Sequence, residues 1–400
     1  MPIAEAVDLI YIPKNTRTPQ GFLAWNMKRE FICNSPEEFE HLENWLNQAE
    51  GMVFGYISFE AKNLFEKNVY HNVGSDGSHL MHFVEPIHVW REENEEWHCL
   101  AGNISRSEVE AFVQSIPNEK KTIRHIQVNC EESSSTYNRK LDEIQQAIQR
   151  GDYYETNFCI PFCGQGEIEN GMDHFAFLNE KTDAPHAVYF RTKNLELWCT
   201  SPERYVKRLG NKLISQPIKG TVKRGKTLEE DEQLKEELLK SKKERSENVM
   251  IVDLVRNDLS RIAKKGTVQV EELCGCYTFK NLHHLVSTVS CELEKEITFS
   301  DILQATFPMG SMTGAPKISA VQHMEKIELR SRGLYSGSFG WIDTNGDFDF
   351  NVIIRSVVVS KEKKELTFHV GSAITRASLS GNEFDECMLK AGTTLSLFEQ

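Results

Sequence analysis

Tight turns between short alternating segments constrain this chain more than any other feature. RYVKRL and KLISQPI meet at Gly210-Asn211 just after NLELWCTS, and FDFNVIIRSVVVS and ELTFHVG follow an Asn345-Gly346 turn. A connection that short joins antiparallel neighbours only, because a parallel crossover needs a dozen or more residues. IHVWREENEEWHCLAG carries the same hairpin signature nearer the N-terminus. Between the hairpins runs a long helical stretch, about 228 to 263, whose Met250, Ile251, Leu254, Val255, Leu259 and Ile262 make one apolar face. Thr136 is placed to cap another helix, in which Leu141, Ile144 and Ile148 recur at helical spacing up to Gly151. The expected class is α+β, with helices outside large antiparallel sheets.

The polar run CEESSSTYNRK reads as a linker and sets a soft boundary near residue 130, between regions 1–130 and 131–400. Of the 400 residues, 40% are hydrophobic and 26% charged, which supports a large core and argues against disorder. A net charge of -13 is the wrong sign for tracking phosphates, so no nucleic-acid partner is expected. MPIAEAVDLIYIPKN lacks the features of a signal peptide and no run approaches a membrane span, so the expected location is cytoplasmic, with no membrane partner. Ten cysteines fall at irregular spacings, and Cys274 and Cys276 have no second pair to complete a zinc site. Free packing thiols are expected.

Two acidic pairs stand out. Glu244 and Glu247 lie three apart in the long helical stretch, with Glu247 four residues before Ile251 and so at the edge of the buried face. Glu383 and Glu386 open the last helix, where Ser380 and Glu383 also fit a capping box. Oxygen donors without His or Cys suit magnesium better than zinc. The same spacing also describes a solvated helix face and a cap. If the outer residues hold those jobs, Glu247 and Glu386 are expected to matter more to a metal than Glu244 and Glu383.

FPMGSMTGAPK, residues 307–317, offers Ser311 and Thr313 ahead of a helix expected to begin at Pro316. Its amides suit an anion, though it is not a P-loop and a plain loop reads equally well. Arg355 alternates with Phe350, Val352 and Ile354, so it faces away from them, either into water or as a fork for a carboxylate. His283 and His284 must point to opposite faces of a strand, so one of them at most faces a site; a core histidine is the alternative.

Taken together, TSPERY (200–205), PIKGT (217–221), SENVMIVDLVRNDLSRI (246–262), HHLVST (283–288), GSMTGAPK, RGLYSGSFGW (332–341) and NEFDECMLKAG resemble the chorismate-utilising enzymes. The resemblance implies two large packed antiparallel sheets ringed by helices, with residues 1–130 a β-rich part of the same fold and 131–400 the catalytic region. PIKGT resembles the aminodeoxychorismate synthase component I branch; anthranilate, isochorismate and salicylate synthases generally carry alanine at the lysine position. That branch implies Lys219 as the nucleophile attacking carbon 2 of chorismate, Glu203 as the acid for the departing carbon 4 hydroxyl, and ammonia entering at carbon 4. It places His284 with the catalytic set. Thr313, Tyr335 and Arg355 line the chorismate site, with Lys390 beside them, and Gly371, Ser372 and Ala373 offer amides to a carboxylate. Glu244, Glu247, Glu383 and Glu386 become the Mg2+ ligands or their close support.

This chemistry has physical requirements. Lys219 must lose its proton in a desolvated or cation-rich pocket, with the proton of the productive microstate on Glu203. A two-residue Gly210-Asn211 turn pairs Glu203 with Ile218 and puts Glu203 and Lys219 on opposite faces. A longer loop, or a bulge near Pro217, is therefore required. Glu155 stands where water-activating relatives carry lysine and amine-transferring ones glutamine, so its charge is expected to alter how water is excluded. No GxCxG elbow is present, CGQG at 163–166 being in the wrong frame, so ammonia is expected from a separate glutamine amidotransferase subunit. No LLES-type tryptophan motif appears either, which speaks against tryptophan feedback. The alternatives are an anthranilate synthase component I and a chorismate-binding protein without turnover.

Overall fold

In the computed structural model, which describes residues 3–15, 17–65, 76–117, 123 and 126–398, every strand ladder among the described residues is antiparallel. One series runs from Leu282–Glu292 through Lys212–Gln216, Arg204–Leu209, Phe348–Asn351, Ser338–Ile342 and Val53–Ile57 to Met81–Glu93. The ladders continue through Gly21–Cys33, Leu9–Ile12, His186–Arg191, Leu195–Ser201, Ser356–Ser360 and Glu365–Thr375 to Glu155–Gln165. The expected pair of sheets is thus two arms of one hydrogen-bonded network, and ladders join strands on both sides of residue 130.

The arms close on each other because their strands carry apolar side chains inward. Phe54, Tyr56, Val84 and Phe339 from one arm share a buried cluster with Val188, Phe190, Leu197 and Val358 from the other. Helices cover the outer faces. Ser134–Arg150 and Ser380–Leu395 pack through Tyr137, Leu141, Ile144, Cys387 and Ala391 onto Phe158, Ile160 and Phe368. Lys242–Ser260 and Phe299–Thr306 pack through Ile251, Val255, Leu259 and Ile302 onto Val206, Leu213 and Val289. No helix among the described residues is long and apolar enough to cross a membrane. All ten cysteines are free, and Cys163 donates to Glu365 Oε1 (3.0 Å), a packed thiol.

Several element ends differ from expectation. The first long helix is capped by Ser133, which accepts from the Thr136 amide, so Thr136 lies inside the first turn; Gly151 ends the helix at φ 85°. The stretch 228–263 is two helices, Leu228–Lys240 and Lys242–Ser260, because the extended Ser241 stops the first and caps the second through Glu244 N. Met250 and Leu254 sit at the margin of the apolar face rather than in it. Pro316 is the N-cap, and the helix begins at Lys317. The last helix has Leu379 as its N-cap, without a side-chain cap bond, so Glu383 is free of the expected capping-box duty; the Ser380 side chain lies outside the described residues.

The buried imidazole of His369 has a consequence for stability. It stacks on Tyr335 with centroids 5.4 Å apart and planes at 23°, and burial pushes its pKa from 6.5 down to about 3. The unfolded chain binds a proton here below pH 6.5 and the folded chain does not, so stability is lost as pH falls through that window. The slope is about 1.4 kcal/mol per pH unit from this group. Urea unfolding at pH 7 and pH 5 is expected to show His369→Phe losing less stability than the wild type; equal losses exclude this linkage.

Candidate active site

The motifs singled out in the sequence meet at one cavity of about 580 Å3. Its wall takes Glu203 from the Ser201–Arg204 corner, Lys219 from strand Ile218–Lys223, Glu244 and Glu247 from helix Lys242–Ser260, and Glu383, Glu386 and Lys390 from the last helix. His284, Tyr335, Arg355, Gly371 and Ala373 also line it.

The register problem between Glu203 and Lys219 is solved by a bulge. Leu209 pairs with Lys212 across the two-residue turn, but the register slips by one between Lys207 and Arg204, so Arg204 pairs with Gln216. Continued by one step, Glu203 lies opposite Pro217 and shares a face with Lys219. The extra residue sits in strand Arg204–Leu209 rather than near Pro217. A second slip, between Ile218 and Thr221, occurs where Gly220 adopts φ 94°. A Cβ there would lie 3.2 Å from the Cβ of Glu244 and 3.1 Å from Leu285 Cδ1, so glycine brings the lysine strand close against the acidic helix.

Lys219 Nζ donates to Glu155 Oε1 at 2.9 Å. Burial pushes the ammonium pKa down, but Glu155, with Glu247 and Glu203 behind it, outweighs burial and holds it above the ordinary lysine value. The site desolvates Lys219, as expected, yet surrounds it with acids rather than cations. Glu203 behaves as the chemistry requires: burial pushes it up to about 7, against the pull of Ser311, the Ile218 amide and Lys219. A carboxyl at that value is substantially protonated near neutrality.

Histidines 283 and 284 do diverge. His283 pairs with Asp231 (2.9 Å) and Thr278 (2.9 Å), while His284 faces the cavity with Nδ1 2.8 Å from Thr221 Oγ1. Burial, then Arg355 and Lys390, drive His284 well below its usual value, so it is a neutral hydrogen-bonding group. Arg355 has no carboxylate partner among the described residues, and burial lowers its pKa. Its direction comes from φ 50° at a break between strands Phe348–Asn351 and Ser356–Ser360, not from strand alternation. An unpaired guanidinium in a cavity suits a carboxylate.

Two expected contacts are not made. Thr313 is outside the lining; its hydroxyl donates to Met309 O and Gly310 O, and Ser311 occupies the wall instead. Ser372 faces the helix side, 3.0 Å from the Tyr137 hydroxyl, as its place between Gly371 and Ala373 on a strand dictates. Lys390 reaches Gly371 O (2.9 Å) and Glu386 (2.7 Å).

The acids form an unequal set. Burial pushes Glu247 up to about 7 and raises Glu244, whereas Lys390 holds Glu386 below its usual value despite burial. Glu247 Oε1 and Glu383 Oε2 are buried without hydrogen-bond partners. Lys243, which sequence reasoning missed, lies 4.0 Å from Glu247 and 3.8 Å from Glu383. Its position four residues before Glu247 was the available signal. Among the described residues no three His, Cys, Asp or Glu side chains are arranged to hold a metal ion. The donors are nonetheless hard oxygens with two unsatisfied buried atoms, and a lysine ammonium lies against both carboxylates. That donor set suits Mg2+.

A family profile described as chorismate binding enzyme matches residues 10–396, so the chain belongs to the chorismate-binding enzymes. Among its relatives, aminodeoxychorismate synthase from Arabidopsis thaliana is 38% identical over 265 residues, 65% of this chain and 28% of that protein. Aminodeoxychorismate synthase component 1 of Bacillus subtilis is 36% identical over 64% of this chain and 54% of its own length. Anthranilate synthase component 1 of Aquifex aeolicus is 37% identical over 65% and 52%. The matches thus span about half or less of these relatives. Anthranilate synthase component I from Streptococcus pneumoniae superposes with a TM-score of 0.81 at 22% identity, covering 96% of this chain and 93% of that one. Menaquinone-specific isochorismate synthase MenF from Escherichia coli does so at 0.79 and 16%, covering 100% and 90%. These two establish the shared fold.

Proposed function

We propose that this chain aminates chorismate to 4-amino-4-deoxychorismate, using Mg2+ and ammonia from a separate glutamine amidotransferase subunit. The observation that carries the reading is Lys219 in the cavity wall on the same face as Glu203, with Glu203 at about 7. Arg355 receives a substrate carboxylate, with Gly371 and Ala373 beside it in the wall, while His284 and Tyr335 orient the ring. Glu203 delivers its proton to the carbon 4 hydroxyl as Lys219 Nζ bonds to carbon 2. Glu247 and Glu383, supported by Glu244 and Glu386, would hold Mg2+, which supplies neutralising charge for a substrate carboxylate when bound.

Product analysis tests this. Chorismate, Mg2+ and ammonium salts are expected to give 4-amino-4-deoxychorismate by chromatography; anthranilate as the product overturns the reading in favour of anthranilate synthesis. Absence of Mg2+-dependent chorismate loss at high ammonia leaves a binding protein without turnover. Glutamine is expected to serve as donor only after a glutaminase subunit is added. With ammonium salts the rate should climb with pH as free ammonia grows, then level off above about pH 7, where Glu203 loses its proton.

A further inference from the structure

The hydrogen-bond partner of Lys219 lies outside the cavity lining. Glu155 Oε1 is 2.9 Å from Nζ, the residue is 1% exposed, and its second oxygen, Oε2, is buried without a hydrogen-bond partner. Glu203 and Glu247 act on the ammonium through charge, but among the described residues Glu155 is the one in direct contact. Its backbone is fixed from both sides, paired with Ala315 and with Thr375. The neighbouring Gly314 approaches so closely that a Cβ would come within 2.2 Å of Glu155 O. The carboxylate is therefore held behind the lysine, while the cavity opens in front.

We infer that Glu155 is the general base of the lysine nucleophile, a role that rests on the amination proposed above. Lys219 Nζ gives one proton to Glu155, and its freed pair bonds to carbon 2 of chorismate. The carbon 1–carbon 2 π pair moves to carbon 1–carbon 6, and the carbon 5–carbon 6 pair to carbon 4–carbon 5. The carbon 4–oxygen bond breaks, and hydroxide leaves as water with the proton of Glu203. Ammonia then bonds to carbon 4, the π pairs return, and the carbon 2–nitrogen bond breaks with its pair on Lys219. Glu155 returns its proton to Lys219, and the new carbon 4 ammonium gives one to Glu203, so every group is restored. The sum is chorismate plus ammonia giving 4-amino-4-deoxychorismate plus water. The ion pair keeps the amine capped until attack and places its proton acceptor away from substrate.

The experiment isolates the first half-reaction by omitting ammonia. The full chain is mixed with Mg2+ and chorismate between pH 6.5 and 9.5, and the adduct of chorismate less water on Lys219 is followed by intact-mass spectrometry. Glu155→Gln, which keeps the shape and removes the base, is expected to slow adduct formation by about 10²-fold or more at neutral pH. The deficit should shrink as pH rises and solvent takes the proton instead. Urea unfolding and chorismate binding report whether the variant is folded. If it is not, Glu155→Asp, which keeps the charge and withdraws it by one methylene, should slow the step by about tenfold or more. Wild-type adduct formation with either folded variant equally fast or faster across the pH range overturns the base role alone, leaving Glu155 as a brake on the lysine. Turnover once ammonia is supplied, with no adduct on Lys219, removes the covalent lysine route and this inference together, and leaves direct attack of ammonia at carbon 4.

Discussion

On the proposed amination route, replacing Lys219 is expected to abolish turnover, by about 10³-fold or more, while chorismate binding persists, because the proposed nucleophile is lost but the Arg355 side of the cavity remains. Two substitutions separate chemistry from folding. Lys219→Ala leaves the buried Glu155 without its cation, and breaking such a pair costs roughly 3–5 kcal/mol. Lys219→Arg keeps a positive charge against Glu155 yet offers no amine, so it should be near wild type in unfolding and as inactive as alanine. Rates, chorismate titration and urea melts on the three proteins decide the matter. Normal turnover by the arginine variant excludes a covalent role for this lysine.

Magnesium dependence should divide the four glutamates differently from their helix positions. Glu383 is 3% exposed and Glu247 7%, each with an oxygen lacking a hydrogen-bond partner, whereas Glu386 is engaged by Lys390 at 2.7 Å. A cation gains most from buried oxygens that nothing else satisfies. Glu247→Gln and Glu383→Gln are therefore expected to raise the half-saturating Mg2+ concentration about tenfold or more, and Glu244→Gln and Glu386→Gln only a few-fold. The expectation from capping and helix surface, which ranked Glu386 above Glu383, is reversed by burial. A second readout is metal-free stability, which should rise in Glu247→Gln, because burial penalises its charged form. Four Mg2+ titrations indistinguishable from wild type remove the metal assignment.

Much of the site was legible because its parts are short local patterns. Gly210-Asn211 announces a hairpin, and the helical spacing of Glu247 from Ile251 announces a carboxylate at a buried edge. The divergence of His283 and His284 follows from strand geometry alone. Even the need for a bulge between Glu203 and Lys219 followed from counting residues through the turn.

What the sequence by itself determined was therefore the antiparallel class, the positions of most hairpins, and most of the residues that share the cavity. Period and turn length are properties of neighbouring residues, and they act before the chain is folded. Only the tertiary structure decided how those residues are paired. Glu155 and Lys219 are 64 positions apart and meet only in the folded chain, where Gly314 lets its strand approach the Glu155 backbone and Gly220 lets the lysine strand lie close against the side chains of Glu244 and Leu285. Arg355 enters the cavity through a left-handed kink that strand alternation does not anticipate, and Ser372 is turned to the distant Tyr137 while Thr313 is held by the nearby Gly310 carbonyl. The protonation of the site belongs to the same category. Three acidic side chains hold one buried ammonium charged, and burial raises Glu203 and Glu247; neither the distances nor the burial exist until the chain has folded.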